Sequence, residues 1–353
     1  MSSGLTHWAA AGFESARRLN RSDGPDGGRV HGHSFRVEAR AGLPPGWGGL
    51  EGAESHALQQ RLQRGVTELD YCDLNAVLDD PSDEHLVRWI ADRLDLPGAV
   101  SLCLWAGPAQ GATKDALGRM HLWLRDRFES AHRLPHVPAG HKCGRMHGHG
   151  FEVVLRMRSS QQSNLYRLAA AWLPLRARLH MACLNDIAGL EIPTSEMLAS
   201  WIWGRLSVEV PELSSVTVFE TASCGAQYDG QRYQIWKDRS FDSATRLPSA
   251  VPQDPRSSLH GHTYQLRLVL SAPLDPVMGW TVDFGDVKSL FSPVFQQLDH
   301  HPLHELLPAG DVASLLEWIR RKSVPSLPDL KRIELRDTPA TGAILTWAGS
   351  GKE

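Results

Sequence analysis

The chain repeats itself. "FESARRL" at Phe13, "FESAHRL" at Phe128 and "FDSATRL" at Phe241 recur at intervals of about 115 residues, and self-similarity at a fixed period marks whole structural units in tandem. A second marker keeps the spacing: "HGHSFRVEA" from His31, "HGHGFEVVL" from His147 and "HGHTYQLRL" from His260. A third follows in each unit, as "DPSDEHLVRWIADRL" from Asp80, "IPTSEMLASWIWGRL" from Ile192 and "GDVASLLEWIRRK" from Gly310. All three carry a capping Ser, Thr or Asp near the start and apolar residues at helical spacing. Whatever one unit folds into, this chain folds into three times.

After the second histidine marker, Phe151, Val153 and Leu155 alternate with Glu152 and Arg156, the period of a half-buried strand. The first marker reads likewise. "VDFGDVKSLFSPVFQQL" sets Val287, Leu290, Phe291, Val294 and Leu298 on one helical face, with Pro293 as a source of bending. Each unit thus reads strand, strand, helix, helix, strand, strand: an α+β unit of one antiparallel four-stranded sheet plus two helices. Its exposed sheet edges invite pairing, and three linked copies abolish them by closing edge to edge into one barrel with helices outside. Separate beads on a string are the alternative. The expected units are 1–120, 121–234 and 235–353, consistent with a length of 353 residues.

Composition narrows the function. A net charge of -3, with 42% hydrophobic and 22% charged residues, describes an ordinary globular protein without the basic excess that draws nucleic acid or anionic lipid. Cys72, Cys103, Cys143, Cys183 and Cys224 are scattered and never spaced Cys-x-x-Cys, which argues against a secreted disulfide framework and for a reducing cytoplasm. No targeting segment or membrane-spanning apolar run is read from the sequence.

The densest chemistry is "FESAHRLPHVPAGHKCGRMHGHGF" from Phe128. His147 and His149 are two apart on a predicted strand, so both imidazoles share a face, and His132 on the preceding strand is a natural third ligand. Three imidazoles on zinc leave one position open, the arrangement of catalytic sites. Three hydrogen-bonded structural histidines are the plainer reading. Cys143 lies beside Lys142 and Arg145, whose charge is expected to lower its pKa and favour thiolate; a small buried apolar residue is the alternative.

These motifs, with "LNDIAGLEIPTSEMLASWIW" and "VTVFET" in the second unit and "GWTVDFGDVK" and "LDHHPLHEL" in the third, resemble the 6-pyruvoyltetrahydropterin synthase family, in particular its 6-carboxytetrahydropterin synthase branch. The resemblance covers the second unit almost without gaps and extends weakly over the whole chain. It implies the tunnelling fold, in which three subunits close a twelve-stranded barrel and two barrels stack. One chain would then be a pseudo-trimer, and two chains a homodimer of pseudo-trimers.

Carried over by position, the family's zinc triad falls on His132, His147 and His149 and its cysteine on Cys143. Its Asp-His pair falls on His180 and Met181 in the second unit, but on Asp299 and His300 in the third. The third unit has Thr245 and Arg256 in place of the first histidine and the cysteine, keeping His260 and His262. The first has Arg17 and Gly27 there, keeps His31 and His33, and has Asp70 and Tyr71 at the dyad. Because the family's site is shared between subunits, the expectation is one composite centre: zinc and thiol from unit two, dyad from unit three. A carboxylate ending its own helix is the plainer reading of Asp299.

Glu220 matches the family's pterin anchor, a role that suits a carboxylate because the pterin edge offers adjacent N–H donors. Asp337 is its shorter counterpart in the third unit and could anchor a second pocket. Thr194 and Ser195 either contact the ring or cap their helix, and capping is the safer reading. The implied reaction is zinc-dependent conversion of 7,8-dihydroneopterin triphosphate to 6-carboxytetrahydropterin with release of triphosphate and acetaldehyde, a precursor step toward queuosine. The alternatives are a 6-pyruvoyltetrahydropterin synthase-type or other pterin reaction, or a non-catalytic pterin-binding protein. With no Walker-type loop, phosphates would be held by basic side chains.

Overall fold

A computed structural model describes residues 4–20, 28–160 and 164–347. The same element order recurs three times. The first unit holds β1 (Gly4–Arg18), β2 (Val30–Ala41), α1 (Glu54–Val66), the two-residue β3 (Cys72–Asp73), α2 (Asp83–Leu94), β4 (Val100–Ala106) and β5 (Gln110–Lys114). The second holds β6 (Met120–His132), β7 (His147–Arg158), α3 (Leu165–Leu179), β8 (Ala182–Cys183), α4 (Ser195–Glu209), β9 (Leu213–Thr221) and β10 (Cys224–Tyr228). The third holds β11 (Tyr233–Thr245), β12 (His260–Leu270), α5 (Phe284–Leu298), the short α6 (Leu303–Leu306), α7 (Val312–Ser323), β13 (Leu330–Thr338) and β14 (Thr341–Thr346).

Twelve long strands run antiparallel in the order β14-β13-β12-β11-β10-β9-β7-β6-β5-β4-β2-β1, and β14 pairs back onto β1. The sheet is therefore a closed barrel without a free edge, as the repeat implied. Units meet where β5 pairs β6, β10 pairs β11 and β14 pairs β1.

Alternation decides which side chains face outward. Phe13 stands opposite Phe35, Phe128 opposite Phe151 and Phe241 opposite Tyr264, and each pair stacks, with ring centroids 4.7, 5.4 and 4.9 Å apart. These rings belong to the apolar layer beneath the helices, which buries Leu58, Leu62, Leu168 and Phe291 among others. Strand residues of the opposite parity face the lumen. In α5, Val287, Phe291, Val294 and Leu298 are buried, whereas Leu290 is 45% exposed. The buried set follows the i, i+4, i+7, i+11 line, so the covered stripe is narrower than the sequence suggested. Among the described residues, no helix is long and apolar enough to cross a membrane.

Candidate functional site

The three hairpins share one register, so the top of each first strand faces the start of the second. His132 stands opposite His147, Arg17 opposite His31, and Thr245 opposite His260. Only the second unit fills these positions with three imidazoles. The ring centroids of His132, His147 and His149 lie 4.6 to 5.1 Å apart, and with Glu220 their ligand atoms fall within 4.8 Å of one another.

Backbone carbonyls orient two of the rings. His132 Nδ1 lies 2.9 Å from Pro193 O and His147 Nδ1 2.7 Å from Arg145 O. A carbonyl only accepts, so each Nδ1 carries the proton and each Nε2 keeps its lone pair. His132 Nε2 and His149 Nε2 are buried without a hydrogen-bond partner; His149 Nε2 is 3.4 Å from Glu220 Oε1 but not aligned with it. Burial holds both His132 and His149 below the ordinary histidine pKa, against an opposing pull from Glu220, so both are neutral donors at pH 7. Lone pairs without partners, converging beside a carboxylate, fit a tetrahedral divalent metal such as zinc.

Glu220, at the end of β9, accepts a 2.9 Å hydrogen bond from Ser195 Oγ through Oε2. Ser195 is the first residue of α4, and Thr194 is its N-cap, accepting from Met197 N at 3.2 Å. The capping reading of Thr194 is thus what the structure contains, while Ser195 positions the carboxylate. The third unit grips the same helix end. Thr194 Oγ1 donates to Gly279 O, and the fully buried Glu196 accepts from Thr281 N and Oγ1 at 2.8 and 3.1 Å. Burial raises the Glu196 carboxyl to about 7.

These groups open onto a cavity of about 790 Å³. Its walls combine the three histidines, Cys143 and Glu220 from the second unit with Lys237, Trp280, Asp283 and Lys288 from the third. Cys143 N donates to His141 Nδ1 at 3.3 Å, and His141 Nε2 is 3.7 Å from Asp283 Oδ2. Burial, reinforced by Glu220, pushes the Cys143 thiol up against the pull of Lys142. The expected lowering by neighbouring lysine and arginine is therefore not met by the protein alone, because Glu220 and desolvation outweigh Lys142.

Asp299 and His300 do not line this cavity. Asp299 is the C-cap of α5, eleven residues beyond the cavity-lining Lys288 and so about 16 Å along the helix. Asp299 Oδ1 accepts from Asp242 N at 3.1 Å and lies 3.1 Å from His300 Nδ1. That backbone hydrogen bond leads in holding the carboxyl below its usual value. His300 has φ +58°, as Met181 has and as Tyr71 nearly does at +51°, and each donates its N–H to the adjacent first strand at 2.6 to 2.7 Å. The strained backbone is common to all three units, with or without the dyad, and so belongs to the architecture.

The other two sites are closed internally. Arg17 is completely buried, with Nη1 2.6 Å from Asp83 Oδ1 and 3.0 Å from Pro81 O. In the third unit Thr245 Oγ1 donates to Gly310 O at 3.1 Å, Arg256 forks onto Asp254 at 2.9 and 2.5 Å, and Asp337 accepts from Thr341 Oγ1 and Thr338 N of its own turn. Gly27 lies outside the described residues. Sequence reasoning missed His141, Asp283, Lys237 and Lys288. The "HKC" triplet marks His141 as a neighbour of the cysteine, but nothing local brings the third unit to it.

Residues 121–231 and 234–347 match the profile of the family described as 6-pyruvoyl tetrahydropterin synthase. Over 117 residues the chain is 37% identical to the 6-carboxy-5,6,7,8-tetrahydropterin synthase of Synechocystis sp., covering 30% of this chain and 89% of that protein. Over 111 residues it is 31% identical to the dihydroneopterin monophosphate aldolase of Pyrococcus furiosus, covering 31% and 92%. The solved 6-pyruvoyl tetrahydropterin synthase of Caenorhabditis elegans aligns with 33% of this chain and 95% of its own, at 20% identity and a TM-score of 0.30. With more than half of its residues inside the two profile matches, the chain belongs to the 6-pyruvoyl tetrahydropterin synthase family.

Proposed function

We propose that the chain is a zinc-dependent pterin lyase with one working centre, converting 7,8-dihydroneopterin triphosphate to 6-carboxytetrahydropterin, triphosphate and acetaldehyde as a step toward queuosine. The observation that carries this reading is a single cavity holding three convergent histidines, a carboxylate and a thiol. The matched relatives named for pterin chemistry support it. The three units are taken as 1–120, 121–234 and 235–353.

In this reading His132, His147 and His149 hold the zinc, which supplies Lewis-acid polarisation of the substrate's side-chain oxygens. Glu220 receives the adjacent N–H groups of the pterin edge on its two oxygens, and Ser195 sets its rotamer. Thr194 holds the helix end that carries Ser195. Lys237, Lys288 and Lys142 give the cavity the positive charge that a phosphate ester needs. Cys143 removes and returns the proton next to the developing carbonyl; its thiol, raised in the metal-free protein, ionises more easily once a cation offsets Glu220. His141 can pass that proton on, with Asp283 stabilising its charged form. Asp299 and His300 act as a second exchange pair at the edge of β11, reached through solvent rather than across the cavity.

Two barrels stacked as a homodimer in the cytoplasm complete the proposal. Tyr71, Met146, Met181 and Leu259, each more than half exposed, supply apolar surface among the loops at one end of the barrel, and all five cysteines are free thiols.

The test is incubation of the purified chain with 7,8-dihydroneopterin triphosphate and identification of the products by mass. 6-Carboxytetrahydropterin with one zinc per chain is the expected result. A cleaved product obtained only from the monophosphate would move the assignment to the aldolase reaction for which the Pyrococcus relative is named. Cys143→Ala should abolish turnover and keep the metal; unchanged turnover removes Cys143 as the base. Comparing His141→Ala with His300→Ala tells which imidazole serves it.

A further inference from the structure

The lumen of the barrel carries chemistry that the outer cavity does not use. Five residues before the stacked aromatic of each first strand stands a tryptophan, Trp8, Trp123 and Trp236, and the odd spacing turns it to the inner face. All three are at most 5% exposed. A glycine sits across the next strand from two of them: a Cβ at Gly111 or Gly225 would lie 2.5 or 2.6 Å from the indole of Trp123 or Trp236. Trp8 Nε1 donates to Glu38 at 3.3 Å. The indole N–H groups of Trp123, Trp236 and the neighbouring Trp105 are buried and have no acceptor among the described residues.

The charges are equally one-sided. Glu38 pairs with Arg36, Glu152 with Arg125, Asp238 with Arg267, and Glu334 with Arg332. That accounts for these four carboxylates. Arg40, Arg156 and Arg336 also face inward, and none of them forms an ion pair among the described residues. Arg156 stands opposite Trp123 and Arg40 opposite Trp8, while the Arg336 guanidinium lies 4.2 Å from the Trp8 ring centroid. Arg156 Nε is buried with no partner. Burial pushes Arg156, Arg332 and Arg336 below the usual arginine value; Glu334 opposes this at Arg332, Glu38 and Glu334 oppose it at Arg336, and the charge of Arg40 adds to it at all three. A guanidinium does not deprotonate in a protein, and buried charge is stable only with a counter-charge or hydrogen-bond acceptors. Every orphaned group named here is a donor.

We propose that the lumen is an anion-binding site for a multivalent oxyanion of the phosphate class, held by Arg40, Arg156 and Arg336 with the Trp123 N–H beside Arg156. It is separate from the outer cavity, since none of these residues lines that space.

Calorimetric titration of the full chain at constant ionic strength, with inorganic phosphate and with tripolyphosphate, tests this. Saturable binding that weakens about ten-fold in Arg156→Gln or Arg336→Gln and persists in Lys288→Ala, an outer-cavity variant, is expected, together with a change in tryptophan emission. Arg156→Lys keeps the charge and loses the fork, so it should lie between wild type and Gln; it serves if the Gln variants do not fold. Tighter binding of tripolyphosphate identifies an oligophosphate as the occupant, and equal binding a single phosphate. No saturable binding by the wild type, or binding lost in Lys288→Ala and kept in the lumen variants, overturns the proposal.

Discussion

The first and second units present one scaffold whose equivalent positions are filled in two ways. Pro193 O takes the Nδ1 of His132, and the equivalent Pro81 O takes the Nη1 of Arg17. Beyond that shared carbonyl they diverge. His132 leaves a buried Nε2 lone pair facing two more imidazoles, whereas Arg17 brings its own positive charge and is met by Asp83, which occupies the helix position of Ser195. His33, beside it, is held down to about 4 by burial and by Arg17. Two substitutions, Arg17 for His132 and Asp83 for Ser195, therefore replace a cluster of unpartnered lone pairs by a closed ion pair, with no change in strand register.

The most severe way to break the comparison is His132→Arg, which copies the first unit into the second. Metal content should fall to none per chain by elemental analysis, and turnover by at least about 10³-fold, the worth of losing a Lewis acid. Retained metal would show that the two positions are not equivalent. The reverse probe, Arg17→Met, strands the buried Asp83 carboxylate and should cost about 3–5 kcal/mol in urea unfolding. Arg17→Met with Asp83→Leu should recover most of it, and a single-variant loss near zero would mean that the pair is not the buried link described here.

Glu196 sharpens the contrast through pH. Its folded pKa of about 7 lies above the ordinary 4.5, so its contribution to stability is fully present below pH 4.5 and is lost as pH rises through 7. Over that window the wild type should lose about 3 kcal/mol relative to Glu196→Gln, which keeps the contact with Thr281 but does not ionise. Parallel unfolding curves at pH 4.5 and pH 7 would contradict it. The smallest effect is expected from Ser195→Ala, which frees Glu220: about a five- to ten-fold rise in KM, the worth of one hydrogen bond, with kcat nearly unchanged. A fall in kcat instead would give Ser195 a part in the chemistry.

Much of this was open to a reader of the sequence. The alternation around Phe151 announced β7, and the His-x-His spacing placed two ligands on one face because a strand repeats every two residues. The third unit's loss of the first ligand could be read by aligning the copies, and its Asp-His pair only through the family resemblance. The Ser195–Glu220 hydrogen bond could not, because it joins a helix start to a strand end 25 residues away. The same is true of Asp83 beneath Arg17, a partner 66 residues away in the chain, and of Asp299, whose distance from the cavity depends on which way α5 runs.

By itself the sequence determined the three units, their strand and helix periods and the one copy with a full set of histidines, since all of these are local patterns carried by neighbouring residues. Only the tertiary structure decided that β14 closes onto β1, that Trp280 to Lys288 wall the second unit's cavity, that Asp299 and His300 stand outside it, and that unpaired arginines share the lumen. Those outcomes depend on which strand edges meet and which faces turn inward, and contacts between residues far apart in the chain leave no periodic trace in it.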